Sequence, residues 1–96
     1  MTTKQQLLRD AAAKEALASA FTRYAKGLVD AFDGIPARHG EFEGFWRGPS
    51  VERYLSHAVR LRREMGELED SCLATADNLR RRARQLRQDA ADLTSQ

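Results

Sequence analysis

Val51, Ala58, Met65, Cys72, Leu79, Leu86 and Leu93 fall at strict seven-residue intervals, and no other feature of this 96-residue chain limits its fold as tightly. Seven residues are two turns of α-helix, so the row lies along one face of a single long rod. A companion row begins with Tyr54, Leu61 and Leu68, then moves one position over to Ala76, Ala83 and Ala90. That drift is what a fairly straight helix of 3.6 residues per turn shows when it keeps facing one neighbour. Pro49 and Ser50 suit the opening of this helix, and Glu52 places a carboxylate in its first turn, where the helix dipole favours it. The pattern predicts a helix over about 50–93, with Arg60–Glu64, Arg63–Glu67 and Asp77–Arg81 spaced as i,i+4 pairs on its outer face.

The first third of the chain repeats the theme with a finer alternation. Its row steps through Leu7, Ala11, Lys14, Ala18, Phe21, Ala25, Leu28, Phe32 and Ile35, by fours and threes. Only Lys14 breaks it, and a lysine stem can lie along an apolar seam with its ammonium in water. Half of the row is large (Leu7, Phe21, Leu28) and half is alanine, a combination that lets another helix approach closely while large side chains fill its grooves. Thr3-Lys4-Gln5-Gln6 reads as a capping box, and Asp33-Gly34-Ile35-Pro36 as a stop, giving a helix over about 3–33. Fifteen alanines and thirteen arginines, against two prolines, favour helix throughout. No strand pattern and no internal repeat appears.

Residues 34–49 form the connector between the two helices. Gly34, Gly40, Gly44, Gly48, Pro36 and Pro49 interrupt it, yet Phe42, Phe45 and Trp46 are too apolar for a freely solvated loop. A packed bend is expected, with its aromatic side chains closing the end of the hairpin. The chain is thus read as one domain, 1–96: an all-α, antiparallel helix–turn–helix hairpin.

Two helices of this size cannot complete a core. At 1.5 Å per residue, the first spans about 45 Å and the second about 65 Å. Set flush at the bend, the second overhangs by roughly 20 Å. Residues from about Arg80 onward would then lack an intramolecular neighbour, although Leu79, Leu86 and Leu93 continue the apolar row. A second hairpin completing a four-helix bundle is the economical solution. The expected partner interface is Leu7, Phe21, Leu28 and Phe32 on the first helix, with Leu61, Met65, Leu68, Cys72, Leu79, Leu86 and Leu93 on the second. A homodimer would satisfy the same requirement.

Chemistry finds little to stand on. His39 and His57 lie in different elements without metal-ligand spacing, Glu41 and Glu43 are ordinary loop carboxylates, and no phosphate-binding glycine loop or nucleophile elbow is present. No enzyme, metal or cofactor is expected. The single Cys72 cannot form an internal disulfide and reads as a small buried hydrophobe. Net charge is only +2, with acids and bases interspersed, so the overall balance demands no anionic partner. The one local exception is Arg80-Arg81-Arg82-Ala83-Arg84-Gln85-Leu86-Arg87. Arg80, Arg81, Arg84 and Arg87 could contact phosphates, as in a cytoplasmic homodimeric adaptor for nucleic acid or acidic surfaces. Without a recognition motif or stacking aromatics a solvated face is the expectation, and nucleic acid is not the expected partner. No segment approaches the roughly 18 apolar residues of a membrane span, and the N-terminus runs into an amphipathic helix with no cleavable signal.

Trp46-Arg47-Gly48 lies between the two helical stretches, nearly at mid-chain. With the length, the helix–turn–helix layout and the absent signal peptide, it makes the chain resemble the WXG family of ESAT-like proteins over nearly its whole length. Trp46 and Gly48 match that family's Trp-x-Gly positions, with Arg47 as the variable middle. The resemblance implies a helical hairpin that pairs with a second hairpin, or with the N-terminal helical domain of a larger secreted effector. It also implies export through a type VII secretion system with its secretion ATPase, so a protein made in the cytoplasm and destined for secretion or the cell surface. Trp46, Arg47, Gly48 and the adjoining Phe45 would be the export and recognition bend. The family's C-terminal Tyr-x-x-x-Asp/Glu element is absent, since Tyr24 and Tyr54 are followed at four residues by Leu28 and Ala58. That departure implies a subunit whose partner supplies the other half of a composite signal, as a substrate, co-secreted partner or targeting chaperone.

Overall fold

A computed structural model describes residues 3–33 and 49–95 of the chain. They form two helices, α1 (Lys4–Asp33) and α2 (Pro49–Ser95), in an all-α antiparallel hairpin with no strand among the described residues. The capping box forms as expected. The Thr3 N–H donates to Gln6 Oε1 at 2.8 Å and the Gln6 N–H to Thr3 Oγ1 at 3.1 Å, so two amide groups that helix geometry leaves unpaired are satisfied reciprocally. α2 is 47 residues long, about 70 Å of helix, and the molecule measures 73 × 16 × 15 Å, so α1 lies within the span of α2.

The two helices meet along alanine. Ala11, Ala18 and Ala25 on α1, and Ala76, Ala83 and Ala90 on α2, are each at most 2% exposed, and Cys72 is buried beside them. Both sets recur at seven residues, so each helix presents a line of methyl groups to the other and the backbones can approach closely. Cys72 therefore lies in the intramolecular seam, buried within the hairpin itself. Val51, Leu55 and Ala58 are also buried, in the first turns of α2.

Two contacts across the seam set the register. Arg87 bonds Glu15, and Arg80 Nη2 donates to Thr22 Oγ1 at 3.0 Å. α1 ends, at Asp33, level with about residue 69 of α2, and its first turn is level with the α2 C-terminus. The overhang expected at the C-terminal end thus lies at the other end. Residues 80–93 pack along the N-terminal half of α1, while the first twenty or so residues of α2 extend beyond Asp33. The reason is the alanine rows. Their closest approach, together with the Arg87–Glu15 contact, determines how the helices slide past one another, so the two are not flush at the connector. Asp77 meets Arg80 at 3.8 Å, an i,i+3 contact in place of the expected pairing with Arg81.

Candidate functional site

The hairpin has two unlike sides, and the cross-helix contacts tell them apart. A residue advances about 100° around a helix, so the side chains on either shoulder of the alanine seam are determined once one contact is known. Glu15 and Thr22 on α1, with Arg80 and Arg87 on α2, lie on one shoulder and strap it shut. Lys14, Phe21 and Leu28 on α1 fall on the other, together with Leu61, Leu68, Leu79, Leu86 and Leu93 on α2; Leu7 lies nearer the seam.

That second side is apolar and only partly covered. Leu7, Phe21, Leu28, Met65, Leu79 and Leu86 are half-buried, held by the hairpin on one flank and open on the other. Leu61, Leu68 and Leu93 are exposed, and at the outer edge Leu17 and Tyr24 stand 49% and 55% exposed. Of the residues expected at a partner interface, the structure brings Leu7, Phe21, Leu28, Leu68, Leu79, Leu86 and Leu93 onto one continuous face along α1. Met65 borders the same side near the end of α1, where it shares a shallow groove with Leu28, Val29, Asp33 and Glu69. Leu61 continues the face past the end of α1. The side chain of Phe32 lies outside the described residues, as do Phe45, Trp46, Arg47 and Gly48 of the expected recognition bend, and His39, Glu41 and Glu43.

The opposite side is ionic. Arg87 Nε donates to Glu15 Oε2 at 3.4 Å and its Nη2 to Glu15 Oε1, a bidentate pair. The Arg87 hydrogen bond, helped by its charge, holds the Glu15 carboxyl below its ordinary value against a smaller opposing effect of desolvation. The same contact raises the Arg87 guanidinium. Thr22 accepts from Arg80 while its hydroxyl donates to the Ala18 carbonyl at 3.0 Å. The arginine run is accordingly divided. Arg80 and Arg87 are spent on the hairpin, whereas Arg81, Arg82 and Arg84 are exposed and point in different directions around α2. This division was readable in principle, because Glu15 and Thr22 share the seven-residue spacing of Arg80 and Arg87.

His57 is exposed, and among the described residues no group of three or more His, Cys, Asp or Glu side chains gathers to hold a metal. No helix among them is long and apolar enough to cross a membrane. No protein-family model, curated protein or solved structure matches the chain.

Proposed function

We propose that this chain is a pairing subunit of a type VII secretion system, a small WXG-like hairpin exported with, or targeting, a second helical partner. One observation carries the pairing part of this reading: a continuous leucine and phenylalanine face left open beside a seam made of alanine. Each buried methyl-sized group contributes only about 0.8 kcal/mol, while ordering each backbone residue costs about 1–2 kcal/mol. Among the described residues Val51 is the largest fully buried side chain, and a seam of alanine contributes little apolar burial per residue. Covering Phe21, Leu28, Leu68, Leu79, Leu86 and Leu93 with another hairpin adds to it, in the geometry of a four-helix bundle.

The secretion part rests on Trp46-Arg47-Gly48 between two long helices in a chain of this length. The partner is then a second WXG-like hairpin or the helical N-terminal domain of a larger effector. It contributes the Tyr-x-x-x-Asp/Glu half of the export signal that this sequence lacks, and the secretion ATPase reads the pair. The protein is made in the cytoplasm and leaves it through that route.

Co-expression with the neighbouring open reading frames, followed by light scattering on the copurifying species, tests pairing. Export is tested by comparing secreted with cytoplasmic protein for Trp46→Ala and Arg47→Ala while partner binding is monitored. Loss of export with the partner still bound supports the reading. Wild-type export of Trp46→Ala with its partner bound removes the secretion assignment.

A further inference from the structure

Both helices repeat at seven residues, so the alanine seam matches itself again when α1 moves one heptad, about 10 Å, along α2. Moved toward the first turn of α2, Ala11 and Ala18 come level with Ala83 and Ala76 instead of Ala90 and Ala83. Only the match of Ala25 with Ala76 is given up. The charged shoulder tells the two positions apart. Lys26 and Asp33 follow Glu15 and Thr22 by eleven residues, three turns, so all four lie along that shoulder of α1. On α2, Glu69 precedes Arg80 by eleven residues and Arg62 precedes Glu69 by seven, which carries the shoulder of Arg80 and Arg87 onward. As the hairpin stands, Glu15 meets Arg87 and Thr22 meets Arg80, but Asp33 and Glu69, two carboxylates, end level with each other on one shallow groove. One heptad over, Arg80 comes opposite Glu15, Glu69 opposite Lys26, and Arg62 opposite Asp33. We infer that α1 has a second seat on α2, one heptad nearer its first turn, in which Glu15 exchanges Arg87 for Arg80.

Sliding by whole turns is an established way for packed helices to switch between two arrangements. Chain length permits it here. α2 starts about 30 Å beyond the level of Asp33, and the fifteen residues between the helices reach about 50 Å when extended, so both seats lie within the connector's span. The slide uncovers Ala90 and Leu93 and draws Val29 toward Met65, one apolar contact exchanged for another. Exposed ion pairs contribute little singly, so the three new pairs mark the register without locking it. Whatever binds one seat in preference draws the hairpin into it. The opposite slide also matches alanines, Ala18 with Ala90, but it sets Thr94 against Glu15 and Ala83 against Lys26 and gains no ion pair. The inference stands independently of the pairing reading above.

Disulfide trapping in the full-length chain, with Cys72→Ala to remove the native thiol, tests it. Ala18→Cys combined with Ala83→Cys should bridge readily, since those positions face each other as the hairpin stands. Ala18→Cys with Ala76→Cys, and Ala18→Cys with Ala90→Cys, are each displaced by about 10 Å along the axis, too far to bridge without a slide. Under mild oxidation, with the bridged monomer read by gel mobility, the Ala76 combination should form at least about tenfold faster than the Ala90 combination. Adding Arg80→Glu, which sets two carboxylates together only in the second seat, should bring that ratio close to one. Equal rates for the two displaced combinations in the otherwise unchanged chain would mean general loosening of the hairpin and overturn the inference. So would a ratio that Arg80→Glu leaves as it was, or an Ala76 combination that never bridges within the monomer.

Discussion

Glu15 and Arg87 form a bidentate ion pair between the helices, and its pH dependence has a definite sign. The folded-state carboxyl of Glu15 titrates below its ordinary 4.5, so its contribution to stability is complete above that value. It is lost as pH falls through the lowered folded value. Melting curves from pH 7 to 3 should therefore show an acid-side decline that is shallower in Glu15→Gln, the two proteins converging at the lowest pH. The effect should be small and should shrink in high salt, because both side chains stand nearly half exposed to water. An acid-side slope identical in the two proteins would remove Glu15 as a contributor. Thr3 is a separate case, since its hydroxyl caps an amide of α1 rather than holding a charge. Thr3→Ala should cost about 1 kcal/mol at any pH in this range, read as a lower melting temperature and faster amide exchange in the first turn.

The seam between α1 and α2 depends on smallness rather than on apolar bulk. Ala18 and Ala83 are fully or almost fully buried in the seam between the helices. Ala18→Leu should force the helices apart and cost about 1–3 kcal/mol or more, although leucine is a good helix former and more apolar than alanine. Circular dichroism should show the melting transition shift downward, and spin labels at Ser19 and Arg84 should report a wider separation. Unchanged distances would mean the alanine rows do not set the approach. The helices themselves were legible from the sequence: Thr3 and Gln6 mark one start, Pro49 and Ser50 the other, and the seven-residue rows give the length. Their relative sliding was not, because a row such as Leu79–Leu86–Leu93 states only that a helix has an apolar side. Whether that side is covered within the chain depends on which small residues nest together, and Ala11–Ala18–Ala25 fits Ala90–Ala83–Ala76 better than a flush start at the connector allows. Cys72 shows the same limit. It was legible as a buried small hydrophobe, but its row alone could not say that α1 buries it.

The whole hairpin is asymmetric across the seam, one side strapped by Arg80 and Arg87 and the other open along its leucines, and this separates pairing from folding. Leu17 stands 49% exposed on the open side and Leu73 39% exposed on the strapped side. Each is a leucine on a helix surface, and glutamate has nearly the same helix propensity, so Leu17→Glu and Leu73→Glu should cost the isolated chain equally little. Their effects on pairing should differ sharply. If a second hairpin covers Phe21, Leu28, Leu79 and Leu86, it must pass beside Leu17, and a glutamate there replaces apolar contact with a charged, hydrated group whose nearest counter-charge, Lys14, is three residues away on the helix surface. Leu17→Glu should weaken capture of a co-expressed hairpin by tenfold or more, equivalent to about 1.4 kcal/mol or more. Leu73→Glu should leave capture unchanged, and the two isolated variants should match in helicity and melting temperature. Equal loss of capture in both would mean that the partner wraps the whole hairpin. Loss in Leu73→Glu alone would place the partner on the ionic side, leaving the exposed leucines of the other face without the role assigned to them.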